Sequence, residues 1–473
     1  MTDKATRRNF IDRAVIATSA LAAAELIPFS ASGAPSSPAG PAPGTQKLRA
    51  IGEITSEGGK LRAVITVKNA KRTVPTPAPA NLTATDTMML RYFDGHRPDG
   101  SQQWPPNVRA KTGYPAPGPG PTLRAKLGDQ VQIALLNHVR PTDFRRTLDV
   151  ERCDHVRNSG TAPAPGTTMS PNATPPPDVY PRNDHYPDCL HGSSSANIHF
   201  HGTHVTPSTT GDNVLINVRP NRGVLERDVL PAFDKIWNHC EVGHQPLKWG
   251  DLPRQWRDYQ RALLIALPEQ QLWHDNEAAI AAGVWPQWHV GAYPYCFQIP
   301  HYREGVRNDV EMGQSPGTHW YHSHKHGSTA INMFNGLSGA FIITDDSPDG
   351  YDGKLHRFYA KQGRKLTEHV LVFQQIIDTP NMLSNSPSGR SATLVNGQYA
   401  PVIDMQPGDV QLWRMINANV SNIVPISFTR LLGGTAPAAA ATPSPAPSSA
   451  PASSGFTYKQ TAQDGVQLGW DNY

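Results

Sequence analysis

The sequence predicts an all-β protein built from sandwiches whose turns are rich in proline and glycine. Three observations carry this expectation. The 473 residues include 45 Pro and 39 Gly but only 17% charged residues, which favours loops and buried strands over long solvated helices. Apolar residues recur at alternate positions, as in Leu61-Arg62-Ala63-Val64-Ile65-Thr66-Val67, the period of a half-buried strand. Finally, the turn Pro119-Gly120-Pro121 feeds one apolar strand, and Gly128-Asp129 feeds a second at Val131–Leu135.

The N-terminus, residues 1–34, reads as an export signal. Arg7-Arg8-Asn9-Phe10 precedes an apolar run from Ala14 to Phe29, and small residues follow from Ser30 to Ala34. Paired arginines before a modest apolar stretch fit a twin-arginine signal, which exports proteins already folded, so a periplasmic or secreted location is expected. The run is too short for a confident membrane span, and no membrane association is expected once the signal is removed. Residues 35–46 form an Ala/Pro/Ser/Gly tether. With 43 Lys+Arg against 39 Asp+Glu and no basic stripe, nucleic acid is excluded as a partner.

A first β-domain is expected over 47–346, with insertions at about 151–195, rich in Pro, Asn and Ser, and at about 222–295. The second insertion carries a helical-looking patch from Asp251 to Ala282. A second β-domain is expected over 366–473, with a low-complexity insert at 435–454. The two share an internal echo: Gly128-Asp129, seven residues, then Asn137, recurs as Gly408-Asp409, seven residues, then Asn417. The four cysteines, Cys153, Cys189, Cys240 and Cys296, allow two disulfides in an oxidising compartment. Pairing of Cys153 with Cys189 and of Cys240 with Cys296 is preferred, because each pair brackets one loop; buried free thiols are the alternative.

Two His-x-His pairs carry the chemistry. His199-Phe200-His201-Gly202 is the first, and Gly317-Thr318-His319-Trp320-Tyr321-His322-Ser323-His324 contains the second. Residues i and i+2 of a strand face the same side, so each pair presents two imidazoles together. Two such strands side by side make a rim of imidazoles, suited to copper, zinc, iron or nickel. Neither motif contains a carboxylate, which argues against a hard cation and against a zinc hydrolase needing a general base. His204, His319 and His326 lie nearby and are expected to support the site rather than ligate.

These motifs resemble the copper motifs of the multicopper oxidase family, which includes laccases, ascorbate oxidase and bilirubin oxidase. Asn335-Gly336-Leu337-Ser338-Gly339-Ala340-Phe341-Ile342-Ile343 resembles the family's following strand, and Leu394-Val395-Asn396-Gly397 and Leu412–Asn417 resemble its second domain. The resemblance implies cupredoxin-like Greek-key sandwiches, one complete and one incomplete. It implies that His199 binds a type 2 copper and that His201, His322 and His324 bind a type 3 pair. It further implies one-electron oxidation of a reducing substrate (a phenol, a tetrapyrrole or a metal ion) coupled to reduction of dioxygen to water.

The family's type 1 copper signature, a cysteine flanked by histidines, does not occur in this sequence. Cys296 and His301 have a matching spacing, but Pro300 interrupts the loop and no histidine flanks the cysteine. The segment Gln463–Leu468 resembles a strand and turn midway through the second domain. The chain is therefore expected to be an N-terminal portion carrying half of the cluster's ligands, with a C-terminal domain as the missing partner. The competing expectation is a non-catalytic periplasmic copper-binding module or an inactive truncated product.

Overall fold

The computed structural model describes residues 40–99, 118–144, 151, 191–240, 247–302, 313–345, 350–377 and 392–420, together with 424, 426, 460–463 and 466–467, omitting 79, 206, 208 and 270. The expected signal at 1–34 and tether up to 39, Cys153, Cys189 and the insert at 435–454 lie outside the described residues.

The described chain is predominantly β, as expected. One sheet has the order β1-β4-β11-β10-β6, comprising Glu53–Thr55, Gly120–Lys126, Ser338–Thr344, Gly317–His322 and His199–His201. A second has the order β3-β2-β5-β9, comprising Thr85–His96, Lys60–Pro75, Gln130–Asn137 and Ala292–Gln298. These sheets share one core, in which Leu61, Ala63, Ile65, Val131, Ile133 and Leu135 meet Leu123, Phe200, Tyr321 and Phe341. The core is the two-sheet sandwich that alternating strands demand.

Strand β11 explains how a further layer is added. Every residue of Ser-Gly-Ala-Phe-Ile-Ile-Thr is buried. Phe341 and Ile343 point into the sandwich core, whereas Ala340 and Ile342 join Val372 and Ile416 on the other face. Val372 and Ile416 belong to a three-stranded sheet of order β13-β12-β14, formed by Ala392–Val395, Leu366–Ile376 and Val410–Asn417. A strand covered on both faces needs the unbroken apolar run that the sequence provides.

The internal echo reappears as the same turn. Gly128 and Gly408 both have positive φ, 84° and 92°. Asp129 Oδ2 accepts a hydrogen bond from Lys126 N at 2.7 Å, and Asp409 Oδ2 accepts one from Gln406 N at 2.8 Å. Each turn opens a strand, β5 or β14, that runs parallel to its neighbour, and each strand closes on an asparagine whose Oδ1 accepts a backbone N–H two residues on.

The second insertion is more helical and shorter than expected. Helix α1 (Glu226–Trp237) precedes the expected helical patch, and α2 (Arg254–Ile265) and α3 (Gln271–Ala281) lie within it. The boundary expected at 295 falls inside β9, which is a paired strand of the second sheet. Two further helices, α4 (Thr329–Phe334) and α5 (Tyr351–Ala360), flank β11. Among the described residues no helix is long and apolar enough to cross a membrane.

Candidate metal centre

The two His-x-His segments lie on adjacent antiparallel strands. In the β6–β10 pair His322 faces His199, Tyr321 faces Phe200 and Trp320 faces His201. This register has a cause: Phe200 and Tyr321 are fully buried in the sandwich core, which turns His199, His201 and His322 to the opposite face. His324 lies just beyond the end of β10, held by its own N–H donating to Asn197 Oδ1 at 2.7 Å.

His199 is the hub of the group. Its ring centroid lies 5.5 Å from that of His201, 5.2 Å from His322 and 5.1 Å from His324. One nitrogen from each of His199, His201 and His322 falls within 4.8 Å of the others, an arrangement able to hold a metal ion. His324 is brought to the same rim, 5.6 Å from His322 by ring centroid. Its Nδ1 is buried and makes no hydrogen bond.

The tautomer of His322 follows from its neighbours. Its Nδ1 lies 3.0 Å from Ser323 O, which can only accept, so Nδ1 carries the hydrogen and Nε2 presents a lone pair. That Nε2 is 3.4 Å from His201 Nδ1. Two nitrogens bound to one tetrahedral ion at about 2.0–2.1 Å are separated by roughly this distance. Burial pushes the His322 pKa down to about 3, against the Ser323 hydrogen bond and with the neighbouring histidines adding repulsion. Burial also lowers that of His324. Lowered pKa values at His322 and His324 suit a metal cation, and the imidazole donors of the rim fit copper or zinc.

Two supporting side chains were not legible from the motifs. Asp212, almost buried, accepts Phe200 N on Oδ1 at 3.0 Å, and its Oδ2 lies 2.7 Å from His199 Nδ1. That second contact has the distance of an ion pair but makes no well-aligned hydrogen bond. Neither motif contains this carboxylate; a loop following the first motif folds back to supply it. Trp320 stacks on His322 at 4.2 Å and on His201 at 5.0 Å, covering both rings.

The neighbouring histidines take other places. His319 is buried on β10, its Nε2 within 3.2 Å of Ser315 O and 3.3 Å of Gln314 Nε2, and burial lowers its pKa to about 4. His326 faces His191, with ring centroids 6.5 Å apart. Neither joins the group of three. Cys296 lies in β9 with Sγ 3.9 Å from Trp237 O, while the ring of His301 packs against Gly128, so this decoy pair sits in two different surroundings. The disulfide expected between Cys240 and Cys296 is not formed: both are free thiols, with Cys240 Sγ directed at Ile236 O near the end of α1.

No family model matches the chain. Two curated relatives do. Multicopper oxidase mco of Staphylococcus aureus is 29% identical over 111 residues, 23% of this chain and 24% of the relative. Cell division protein FtsP of Gallibacterium anatis is 32% identical over 118 residues, 24% of this chain and 23% of the relative. The match thus spans about a quarter of each curated relative's length. Among solved structures, a multicopper oxidase from Pediococcus acidilactici aligns over 81% of this chain and 45% of its own, with 12% identity and a TM-score of 0.31. A multicopper oxidase from Campylobacter jejuni aligns over 80% of this chain and 44% of its own, with 14% identity and a TM-score of 0.31. The chain resembles multicopper oxidases.

Proposed function

We propose that this chain, similar as it is to multicopper oxidases, is a copper-dependent oxidoreductase of laccase-like type that couples one-electron oxidation of a reducing substrate to the reduction of dioxygen to water. His199 would hold a type 2 copper, and His201, His322 and His324 a type 3 pair. The observation that carries the reading is the convergence of imidazole nitrogens from two paired strands, with the His322 Nε2 lone pair directed at the group. Copper, when bound, supplies cycling between Cu(I) and Cu(II), which neutral imidazole accommodates in both states.

The remaining roles belong to the chain itself. Ser323 O holds the proton on His322 Nδ1 and so keeps Nε2 available. Asp212 offers its carboxylate to the Nδ1 of His199 and orients that ring, leaving Nε2 for the metal. Trp320 covers the faces of His201 and His322 and keeps water from that side of the site. The reading includes export to the periplasm or beyond the cell, and a C-terminal domain supplying the remaining cluster ligands and a type 1 copper.

The test is copper loading of the purified 473-residue chain, followed by electron paramagnetic resonance and oxygen uptake with phenolic, tetrapyrrole and metal-ion donors. Wild type is expected to bind Cu(II) through nitrogen, and His322→Ala to lose most of that binding. Oxygen uptake by the chain joined to a domain that supplies the remaining ligands supports the oxidase, and uptake by the 473-residue chain alone overturns this division of ligands. Stoichiometric copper with no uptake even from the joined chain supports the alternative, a copper-binding module. A chain that takes up no Cu(II) overturns both.

A further inference from the structure

Immediately after His324 the chain places Lys325, whose side chain has no solvent exposure. A buried ammonium is costly unless it is paired and hydrogen-bonded, and one beside an imidazole rim also opposes a metal cation electrostatically. The structure meets both conditions. Lys325 Nζ donates to His191 O at 3.0 Å and to His326 O at 2.9 Å, and lies 3.7 Å from Glu151 Oε2. Glu151 is itself 1% exposed.

The pairing extends outward. Glu151 Oε1 accepts Ser195 Oγ and lies 3.4 Å from Arg219 Nη1, which in turn pairs with Glu269. Glu151 N also donates to Glu269 Oε1 at 3.5 Å. Glu269 lies between α2 and α3, so two cations and two anions alternate from the second histidine motif to the helical insertion. Gly192 closes around the inner pair: it has a φ of 56°, and a side chain there would collide with both the Glu151 carboxylate and Lys325 Nζ. Residues 191–195 end three residues before β6, and 325–328 follow directly on the second motif, so this cluster joins the supports of both histidine pairs. Asn332 adds a neutral link, its Nδ2 donating to Ser195 O at 3.2 Å and Ser323 Oγ at 3.0 Å.

We propose that Lys325 and Glu151 are positioning residues for the metal centre: their buried ion pair fixes the turn bearing His324 against the segment bearing His199, cancels the ammonium charge beside the metal, and ties the centre to the helical insertion through Arg219 and Glu269. The proposal rests on the metal reading above and adds residues that the histidine motifs do not contain.

The experiment measures Cu(II) affinity by chelator competition on the full chain, Cu(II) hyperfine splitting by electron paramagnetic resonance, and melting of the metal-free protein. Wild type is compared with Lys325→Met, Glu151→Gln and Glu269→Gln. Lys325→Met and Glu151→Gln are expected to weaken Cu(II) binding by about tenfold or more and to alter the hyperfine pattern, as loss of a supporting contact to a metal site does. Glu269→Gln, at the outer, half-buried end of the chain of charges, should produce a smaller loss in the same direction. If the two inner variants do not fold, Glu269→Gln decides by the same criterion. Folded variants with wild-type affinity and hyperfine splitting, whatever their melting temperatures, overturn the positioning role while leaving the metal reading intact. A wild-type chain that binds no Cu(II) overturns the metal reading and this inference with it.

Discussion

Asp212 shows how a single residue outside the histidine motifs can govern the site. Its carboxylate is fixed by Phe200 N, the backbone group between the two histidines of the first motif, and so moves with β6. From there it reaches His199 Nδ1 at 2.7 Å. A negative oxygen at that nitrogen favours the tautomer with the hydrogen on Nδ1 and raises the basicity of the other nitrogen. Asp212→Asn preserves size and the Phe200 contact while removing the charge. It is expected to weaken Cu(II) binding about tenfold, at the lower end of what loss of such a partner costs. Chelator competition at neutral pH reads the change, and an affinity equal to wild type would remove Asp212 from this role.

At the scale of the element, the strand that bears the second motif depends on what its neighbour lacks. Tyr321 is fully buried, and its Oη donates to Pro121 O at 2.8 Å. Gly339 lies opposite it in β11, where a Cβ would overlap the Tyr321 ring. Gly339→Ala should therefore destabilise the chain by about 1–3 kcal/mol, the usual cost of overpacking a filled core. Urea denaturation measures it, and an unshifted midpoint would contradict the packing described. The histidine strands were legible because i, i+2 spacing and a specific motif coincide, and β5 and β14 because each follows the same Gly-Asp turn. Prolines concealed two other elements. In α1, Val229, Phe233, Ile236 and Trp237 make a buried helical stripe, but Pro231 lies within it and reads as a break. In β9, Pro294 argues against a strand, yet β9 is at the edge of its sheet, where a missing N–H is tolerated. Asp212 and the Lys325–Glu151 pair were illegible for a different reason: contacts between residues distant in sequence leave no periodic signal.

Across the whole molecule, a set of charges joins the histidine-bearing sheet to the three-stranded sheet. Arg124 of β4 pairs with Glu53 of β1 at 2.7 Å and with Glu368 of β12 at 2.5 Å. Arg414 of β14 pairs with Glu368 at 2.6 Å and with Asp352 of α5 at 2.9 Å. Glu368 thus sits between two guanidinium groups at the junction of the layers. Burial pushes its pKa up, but the charges and hydrogen bonds of Arg414 and Arg124 outweigh this and hold it below the ordinary 4.5. The folded chain therefore binds this proton more weakly than the unfolded chain does. The stability it contributes is complete above the unfolded value of 4.5 and is lost as pH falls through the lower folded value. The metal-free protein should accordingly lose stability in acid below about pH 4.5, with Glu368 one of the groups responsible. Glu368→Gln should cost on the order of 2 kcal/mol at pH 7, between the values for exposed and buried pairs because the side chain is 22% exposed. The variant's deficit should then shrink toward acid pH, since the wild type loses the same charge there. Urea melts at pH 7 and in the acid range measure both quantities, and a deficit that stays constant with pH would show that Glu368 does not couple the two layers through its charge.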